Sequence, residues 1–94
     1  MLLIRETFTT KPGMASKFAS FMKDTIGAQP EFKARVLVDV VAAFNTVVLE
    51  TEAKDLGEFE KRMAEYSQRK DIQEKMKGYT DMYVEGRREI YRVI

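Results

Sequence analysis

The chain has 94 residues, a length typical of one small domain, and its 16 basic and 15 acidic residues leave a net charge of +1. Because these charges are balanced and mixed along the chain, the composition indicates neither a nucleic-acid-binding surface nor a surface for anionic lipid. The absence of cysteine and histidine excludes disulfides, thiolate metal sites, cysteine nucleophiles and histidine-dependent zinc, haem or Ser-His-Asp chemistry.

No segment of the sequence indicates export or membrane insertion. The apolar start covers only Met1–Ile4, which is too short for a signal peptide. No apolar run approaches the roughly 20 residues that a membrane span needs. We therefore expect a cytoplasmic protein with a single domain over residues 1–94, and neither a membrane nor a nucleic acid as its partner.

The first part of the chain predicts a strand, a helix and a second strand. Leu2–Thr9 alternates and is rich in β-branched and aromatic residues, which favours a strand. A Lys-Pro-Gly turn follows, and apolar residues then recur at helical spacing over Met14–Ile26. Gly27 is a natural left-handed cap for this helix, and Lys33–Val41 is the next β-prone segment.

A hairpin is predicted to lead from the second strand into the third. Thr46–Ala53 is again β-prone, and Ala42–Asn45 lies between the two strands. Asn45 is the residue of this loop that adopts a positive φ most easily, so we expect it to form the turn.

The second helical region begins at a capping signal and contains a break. Asp55 and Glu58 have capping-box spacing, with aspartate in place of serine or threonine. Helical spacing predicts a buried stripe of Leu56, Phe59, Met63 and Tyr66. Asp71 and Glu74 repeat the capping spacing, which predicts that the helix is broken near residues 69–71.

A shorter helix and a final strand complete the chain. The apolar face of this helix is predicted to carry Ile72, Met76, Tyr79 and Tyr83. Gly78 lies inside the helix, where it is less favourable than alanine by about 1 kcal/mol. Gly86 ends the segment, and Arg87–Ile94 alternates as the last strand.

The order βαββαβ predicts an α+β, ferredoxin-like fold. Two right-handed crossovers place both helices on one face of a four-stranded antiparallel sheet with strand order 4-1-3-2. The side chains predicted for the helix-covered face are Leu2, Ile4, Phe8, Ala34, Val36, Val38, Val40, Val47, Leu49, Ile90 and Ile94. Glu6 and Arg92 interrupt this apolar set, and we expect both near strand ends.

The other face of the predicted sheet mixes aliphatic and charged side chains. Its apolar members are Leu3, Leu37, Val41, Val48, Tyr91 and Val93. Its charged members include Arg5, Arg35, Asp39, Glu50 and Glu89. A face exposed to water rarely carries the first group, and an ordinary core rarely carries the second. A second copy packed against this face accounts for both groups, so we expect a homodimer.

Three segments carry a resemblance to known proteins. They are the strand–turn–helix opening from Ile4-Arg5-Glu6 to Lys11-Pro12-Gly13, the hairpin segment Ala34–Thr51 and the closing sequence Gly86–Ile94. Together they resemble the dimeric α/β-barrel superfamily, which includes NIPSNAP-like and antibiotic-biosynthesis monooxygenase-like proteins. The resemblance covers essentially the whole chain. It implies a homodimer whose sheets pack face to face as a barrel, with a pocket between the sheet and the helices or loops of each protomer.

The activities of that superfamily range from cofactor-independent oxygenation of phenolic substrates to haem degradation, isomerisation and plain ligand binding. Its haem-handling branches use a histidine, and its haem-degrading members and several monooxygenases use a tryptophan. This chain has neither residue. The resemblance therefore implies a fold and a dimer but transfers no active site, and we expect no cofactor and no metal.

The charged residues of the uncovered face are the first candidates for a site. Arg5 and Arg35 are candidates for binding a polar or anionic ligand group. Glu50 or Asp39 is the candidate general base, because a carboxylate among apolar neighbours can have a raised pKa. The alternative is a structural ion-pair network, since the strand order makes Arg5 a neighbour of Glu50 and Glu89.

Aromatic, sulfur-containing and terminal basic side chains are further candidates. Tyr79, Tyr83 and Tyr91 are candidates for binding an aromatic ligand, and the alternative is packing between helices, sheet and interface. Arg87 and Arg88 are candidates for a phosphate-binding edge, and the alternative is charge pairing along an edge strand. An adaptable pocket wall or an ordinary core is predicted for Met14, Met22, Met63, Met76 and Met82.

Two functions remain open from the sequence. One is a cofactor-independent monooxygenase or isomerase-like enzyme that acts on a small hydrophobic or aromatic molecule, with proton abstraction by Glu50 or Asp39. The other is a non-catalytic ligand-binding or structural dimer in which every inward charge is paired. Enzyme and non-enzyme are equally compatible with the residues.

Overall fold

The computed structural model describes residues 1–94, and its elements follow the predicted order. The strands are β1 (Leu2–Thr10), β2 (Arg35–Val38), β3 (Thr46–Ala53) and β4 (Tyr83–Arg92). The helices are α1 (Ala15–Asp24), α2 (Leu56–Gln68) and α3 (Lys70–Lys75). Short 3-10 turns lie at Ile26–Ala28, Pro30–Phe32 and Tyr79–Asp81. None of the helices has the length and apolar character needed to cross a membrane.

The four strands form one antiparallel sheet in the order β2-β3-β1-β4. This is the predicted order, read from the opposite edge, and it confirms the α+β, ferredoxin-like fold. β1 is central and pairs with β3 from Leu2 opposite Ala53 to Thr9 opposite Thr46. Its pairing with β4 contains a register shift between Thr9 and Thr10, so the two strands are regular only up to that point.

The helices cover one face of the sheet. The main core cluster contains Phe8, Phe18, Met22, Ile26, Phe32, Val47, Leu49, Tyr66 and Ile72. A smaller cluster contains Leu2, Ile4, Ala53 and Phe59. Each buried side chain of this size contributes about 1.5–3 kcal/mol, so the two clusters hold the helices against this face. Ile90 and Ile94, predicted for the same face, are exposed because they lie on the edge strand and beyond its end.

The start of α2 and the break after it are confirmed. Oδ1 of Asp55 accepts a hydrogen bond from the backbone N–H of Glu58 at 2.8 Å, which caps the helix. Arg69 has an extended backbone with ψ of 127° and separates α2 from α3. Leu56, predicted to be buried, is 52% exposed, because at the first helical position it borders an open groove with Met1 instead of the core.

β2 is shorter than the predicted strand. Lys33 has a φ of 48° and closes a 3-10 turn, so the strand begins only at Arg35. The chain leaves the strand conformation after Val38. Val38 keeps its predicted face opposite Val47, but at the end of the strand it is 54% exposed. The predicted place of Val40 beneath the helices is wrong, because Val40 lies in the loop after β2 and is 95% exposed.

The loop between β2 and β3 is longer than the four residues predicted for it. It spans residues 39–45, and the predicted positive φ of Asn45 is confirmed at 52°. Phe44 also has a positive φ, of 61°. Oδ1 of Asp39 accepts a hydrogen bond from the backbone N–H of Thr46 at 3.0 Å, so a side-chain contact closes the loop where the sequence suggested continued strand pairing.

α1 ends at Asp24, two residues before the predicted end. Thr25 follows it, and its hydroxyl donates a hydrogen bond to the carbonyl of Phe21 at 2.8 Å. Gly27 lies in a 3-10 turn without a positive φ. The predicted glycine cap is wrong because Thr25 and the turn after it end the helix instead.

The segment before the last strand differs most from the prediction. Gly78 has a φ of 81° and lies after α3, so it is not inside a helix. Tyr83, predicted to be helical, is the first residue of β4. Gly86 lies within β4 opposite Phe8, where an added Cβ would be 2.9 Å from Cδ1 of the Phe8 ring. Glycine therefore permits a close approach between the two strands instead of ending a segment.

Candidate functional site

The structure divides the predicted site residues between the two faces of the sheet. We call the face without helices the open face. It carries Arg5, Arg35, Leu37, Val48, Glu50, Glu89 and Tyr91. Tyr79 and Tyr83 pack on the helix-covered side, and Asp39 lies in the hairpin loop.

A row of alternating charge crosses the open face. Arg35 of β2 lies opposite Glu50 of β3, Glu50 lies opposite Arg5 of β1, and Arg5 lies opposite Glu89 of β4. We call these four residues the charge row. From the β2 edge to the β4 edge it alternates positive, negative, positive and negative.

Glu50 is the most buried member of the charge row. Its side chain is 6% exposed, and its Oε2 accepts a hydrogen bond from Nε of Arg5 at 2.9 Å. Its Oε1 accepts a hydrogen bond from Nη2 of Arg35. Burial raises the pKa of Glu50, but the hydrogen bonds and charges of Arg35 and Arg5 outweigh burial and hold this pKa below its ordinary value. Both carboxylate oxygens are occupied, which favours the structural alternative for Glu50 over the role of a base.

Tyr91 connects Arg5 with Glu89. The Tyr91 hydroxyl donates a hydrogen bond to Oε2 of Glu89 at 2.7 Å, and this contact, together with the negative charge of Glu89, raises the pKa of Tyr91. Cζ of Arg5 lies 5.7 Å from the centre of the Tyr91 ring, within the range of a cation–π contact. The open-face candidates therefore form one connected network.

Asp39 does not take part in that network. Its Oδ1 binds the backbone N–H of Thr46, and its own backbone N–H donates to the carbonyl of Thr46 at 3.2 Å. These contacts place Asp39 at the base of the hairpin loop. No group of three or more acidic side chains converges anywhere in the chain to form a metal site.

A cavity lies on the helix-covered side of the sheet. Its volume is about 350 Å³, near the lower end of the roughly 300–1,000 Å³ that small-molecule pockets occupy. Its apolar wall consists of Phe8, Met22, Ile26, Met63, Met76, Tyr79 and Tyr83. Two of the candidate tyrosines and three of the candidate methionines therefore meet around one space.

The polar end of this cavity is built by Glu6 and Arg88. Arg87 also borders the cavity, but its register opposite Thr7 turns its side chain to the open face, where its Nε lies 3.8 Å from Oε1 of Glu89. Glu6 lies in the middle of β1 opposite Arg88, so its predicted place near a strand end is wrong. Its side chain is 15% exposed, and its Oε1 accepts a hydrogen bond from Nε of Arg88 at 3.3 Å. Glu6 was not among the site residues predicted from the sequence. It could have been recognised as the one acidic residue among the apolar side chains on the helix-covered face of β1.

Tyr79 and Tyr83 form an aromatic side of the cavity. The Tyr79 ring stacks on Phe21 at 5.9 Å between centroids, and Tyr83 meets Phe8 edge-on at 5.1 Å. Burial raises the pKa of Tyr79, and the neighbouring Tyr83 and Glu6 raise it further. The Tyr79 hydroxyl therefore stays protonated near neutral pH.

Comparison with known proteins defines the fold. No protein-family model matches the chain, and no curated protein matches it. An uncharacterized NIPSNAP-like domain protein from Burkholderia xenovorans is 18% identical with a TM-score of 0.81, over 99% of this chain and 84% of that one. A NIPSNAP family protein from Agrobacterium tumefaciens str. C58 is 10% identical with a TM-score of 0.85, over 97% and 90%. An antibiotic biosynthesis monooxygenase is 11% identical with a TM-score of 0.71, over 100% and 99%.

These structures confirm the resemblance that the sequence suggested. Identities of this size establish the fold alone. They do not assign the substrates or activities of these proteins to this chain. The chain has the α+β, ferredoxin-like fold that NIPSNAP-like proteins share with antibiotic biosynthesis monooxygenase-like proteins.

Proposed function

We propose that this chain is a homodimeric α/β-barrel protein that binds a small, largely apolar aromatic molecule in the cavity of each protomer. The observation that supports this most strongly is the lining of the cavity. Seven of its 11 lining residues are hydrophobic, and one carboxylate–guanidinium pair lies at its polar end. A concave, mostly apolar site with a few convergent polar groups is typical of small-molecule pockets.

The apolar wall suits an aromatic ring. Met63 and Met76 are only partly buried, and their flexible thioethers adapt to a flat ligand and make favourable sulfur–aromatic contacts. The rings of Tyr79 and Tyr83 offer edge-on or stacked contacts from the other side. A planar apolar ligand therefore finds both adaptable and rigid surfaces.

The polar end orients the ligand. Glu6 accepts a hydrogen bond from a phenolic hydroxyl, and Arg88 uses only its Nε toward Glu6, so its remaining N–H groups are free for a ligand oxygen. Cζ of Arg88 lies 5.2 Å from the centre of the Phe59 ring, which steadies the guanidinium. The preferred ligand thus carries one hydroxyl or carboxylate group on an aromatic ring.

A second candidate function is catalysis in the same cavity, favoured by the position of Glu6. A largely buried carboxylate beside bound ligand can act as a general base. Glu6 would take a proton from an acidic O–H or C–H bond and return it to another carbon, which is an isomerisation. Oxygenation would require molecular oxygen as a further reactant. The other candidate bases, Glu50 and Asp39, remain testable by the E50Q and D39N variants, and both lie away from the cavity lining.

Binding is tested by calorimetric titration with phenol, 4-nitrophenol and benzoate. We expect at least one of the three to bind with one site per chain. Glu6→Gln should weaken binding of the phenols about tenfold, because a hydrogen bond to a charged group contributes about 1.5 kcal/mol or more. The control Glu60→Gln removes the same charge from an exposed position on α2. Absence of binding by all three compounds, or equal affinities of the two variants, would contradict the proposal.

The homodimer is supported by the composition of the open face. Leu37 and Tyr91 of this face are 40% and 45% exposed, and such side chains gain free energy when a second surface covers them. The homodimer should appear in native mass spectrometry at twice the chain mass of 10.9 kDa. A single species at the chain mass over all concentrations would refute this part of the proposal.

A further inference from the structure

A second concave surface lies on the helix-covered side, at the opposite end of β1 from the cavity. It is an open groove of about 670 Å³. Its apolar floor and wall consist of Met1, Leu2, Leu56 and Ile90. We call this surface the β4 groove. It shares no lining residue with the cavity, so it is a separate place for a ligand.

The β4 groove forms because the first turns of α2 pack on β1 and β3 and leave the end of β4 uncovered. Ile90 and Arg92 of β4 lie opposite Ile4 and Leu2, on the helix-covered face. Ile4 is completely buried, whereas Ile90, one strand further out, is 39% exposed. An aliphatic strip therefore stays open to solvent along the inner side of this edge strand.

The other apolar side chains of the groove are also uncovered. Met1 and Leu56 are 56% and 52% exposed. Aliphatic side chains gathered around one concavity gain free energy when an apolar molecule displaces water from them. The lining contains no aromatic ring that would stack on a flat ligand, so it favours a flexible alkyl chain.

Two cationic side chains without ion pairs border the groove. Lys54 follows β3, and Arg92 is the last residue of β4. Neither forms a salt bridge within the chain. Asp55 also borders the groove, but its carboxylate accepts the N–H of Glu58 and caps α2, where the positive end of the helix dipole offsets its charge. The rim of the groove therefore attracts an anion.

The register of the strands places the two cations on opposite sides of the apolar floor. Ala53 lies opposite Leu2, and Leu2 lies opposite Arg92. The backbones of Lys54 and Arg92 are therefore about two strand spacings, or roughly 10 Å, apart. Both side chains are long and flexible, so they can converge on one carboxylate held between them.

The size of the groove favours a small molecule over a protein. Seven residues line it, whereas a protein partner contacts about 20–30 residues on each side. Its volume lies within the roughly 300–1,000 Å³ of small-molecule sites. Ile90 lies two residues, or roughly 7 Å, along β4 from Arg92, so an alkyl chain of about six to eight carbons covers the floor.

We propose that the β4 groove binds a free medium-chain aliphatic carboxylate. The alkyl chain lies against Leu56 and Ile90, and the carboxylate lies between Lys54 and Arg92. This site is distinct from the cavity of the proposed function and does not depend on it. The two sites also differ in chemistry, since the cavity is lined by aromatic and sulfur-containing side chains.

Calorimetric titration with acetate, butanoate, hexanoate and octanoate tests the two parts of the site together. The affinity should rise at least about threefold with each added pair of methylenes, because burial of each methylene favours binding. Octanol has the same alkyl chain without the charge. It should bind at least about tenfold more weakly than octanoate, because it makes no charge-assisted contact with the two cations.

Three variants separate the charged rim from the apolar wall. K54Q/R92Q should bind octanoate at least about tenfold more weakly and leave the affinity for octanol unchanged. L56E should weaken the binding of both ligands, and glutamate in the first turn of a helix is compatible with the fold. K61Q/K70Q is the matched control, because it removes two exposed positive charges that do not border the groove. It should bind octanoate as wild type does.

Methyl NMR of ¹³C-labelled methionines locates the bound octanoate. Met1 borders the groove, whereas Met63 and Met76 line the cavity. Octanoate should shift the Met1 signal and leave the other two unchanged. Shifts of Met63 and Met76 without a shift of Met1 would place octanoate in the cavity and overturn the proposal.

Other results would also overturn it. These are equal affinities for octanoate and octanol, equal losses in K54Q/R92Q and K61Q/K70Q, and no binding of octanoate at all. Binding to phosphatidylglycerol vesicles without binding of free octanoate would likewise contradict a site for a free carboxylate. None of these results affects the proposed function, because phenol, 4-nitrophenol and benzoate test the cavity in separate titrations.

Discussion

Replacing Glu50 by glutamine tests whether the charge row stabilises the fold. The carboxylate is 6% exposed and accepts hydrogen bonds from Arg5 and Arg35. Glutamine has nearly the same size, so the substitution removes the charge without creating a cavity. It leaves the two guanidinium groups with one neutral acceptor oxygen in place of two charged ones.

The expected loss of stability in E50Q follows from the contacts of Glu50. A hydrogen bond to a charged group contributes about 1.5–3 kcal/mol. The two arginines regain part of their hydration, because their side chains are 39% and 70% exposed, and glutamine still offers one acceptor oxygen. We therefore expect the free energy of unfolding to fall by about 2 kcal/mol at neutral pH.

The effect should depend on pH with a defined sign. The pKa of Glu50 is lower in the folded chain than in the unfolded one, so the ionised carboxylate stabilises the fold above the unfolded pKa of about 4.3. That contribution is lost as the pH falls through the folded pKa. The difference between wild type and E50Q should be complete at neutral pH and shrink below about pH 4.

Urea unfolding followed by far-UV circular dichroism, at one fixed protein concentration, measures this difference. A loss of about 2 kcal/mol should lower the midpoint by roughly 1–2 M urea. Glu52→Gln is the matched control, because Glu52 lies two residues further along β3 on the same face and has no ion pair. Equal midpoints for E50Q and E52Q at neutral pH would refute a stabilising role for the charge row.

Three further substitutions test local features. Gly86→Ala should lower the free energy of unfolding by about 1–3 kcal/mol, because the added Cβ would displace the Phe8 ring. An unchanged melting temperature would contradict the close approach of Gly86 and Phe8. Phe44→Asn should raise the free energy of unfolding by about 0.5–1 kcal/mol, because asparagine tolerates a positive φ better than phenylalanine. A lower free energy of unfolding in the same melt would contradict this expectation. Asp55→Ala should cost about 1 kcal/mol through loss of the helix cap, and no loss in urea unfolding would show that the cap is dispensable.

The topology of the sheet could be predicted because it follows from local patterns and general handedness. Alternation identified β1 and β3, helical spacing identified the helices, and right-handed crossovers then fixed the strand order. The cap at Asp55 and the break at Arg69 were predictable for the same reason, since both depend on a few neighbouring residues. The ion pair between Arg5 and Glu50 followed from the strand order.

The turns and the cavity could not be predicted because they depend on how elements meet. Alternation in the sequence placed Glu6 on the helix-covered face but did not show that Glu6 borders a cavity. The spacing of Met63 and Met76 is the same whether these side chains fill a core or line a cavity. Gly86 was predicted to end a segment. A glycine is needed there because of the Phe8 ring on the neighbouring strand, and Phe8 is distant in sequence.

Methyl NMR of the methionines tests ligand binding in the cavity most directly. The chain has six methionines, and each gives a separate methyl signal when labelled with ¹³C. Met22, Met63 and Met76 line the cavity, whereas Met1, Met14 and Met82 do not and serve as internal controls. On titration with 4-nitrophenol, the first three signals should shift while the other three stay unchanged. Unchanged signals throughout, or shifts confined to the three controls, would contradict ligand binding in the cavity.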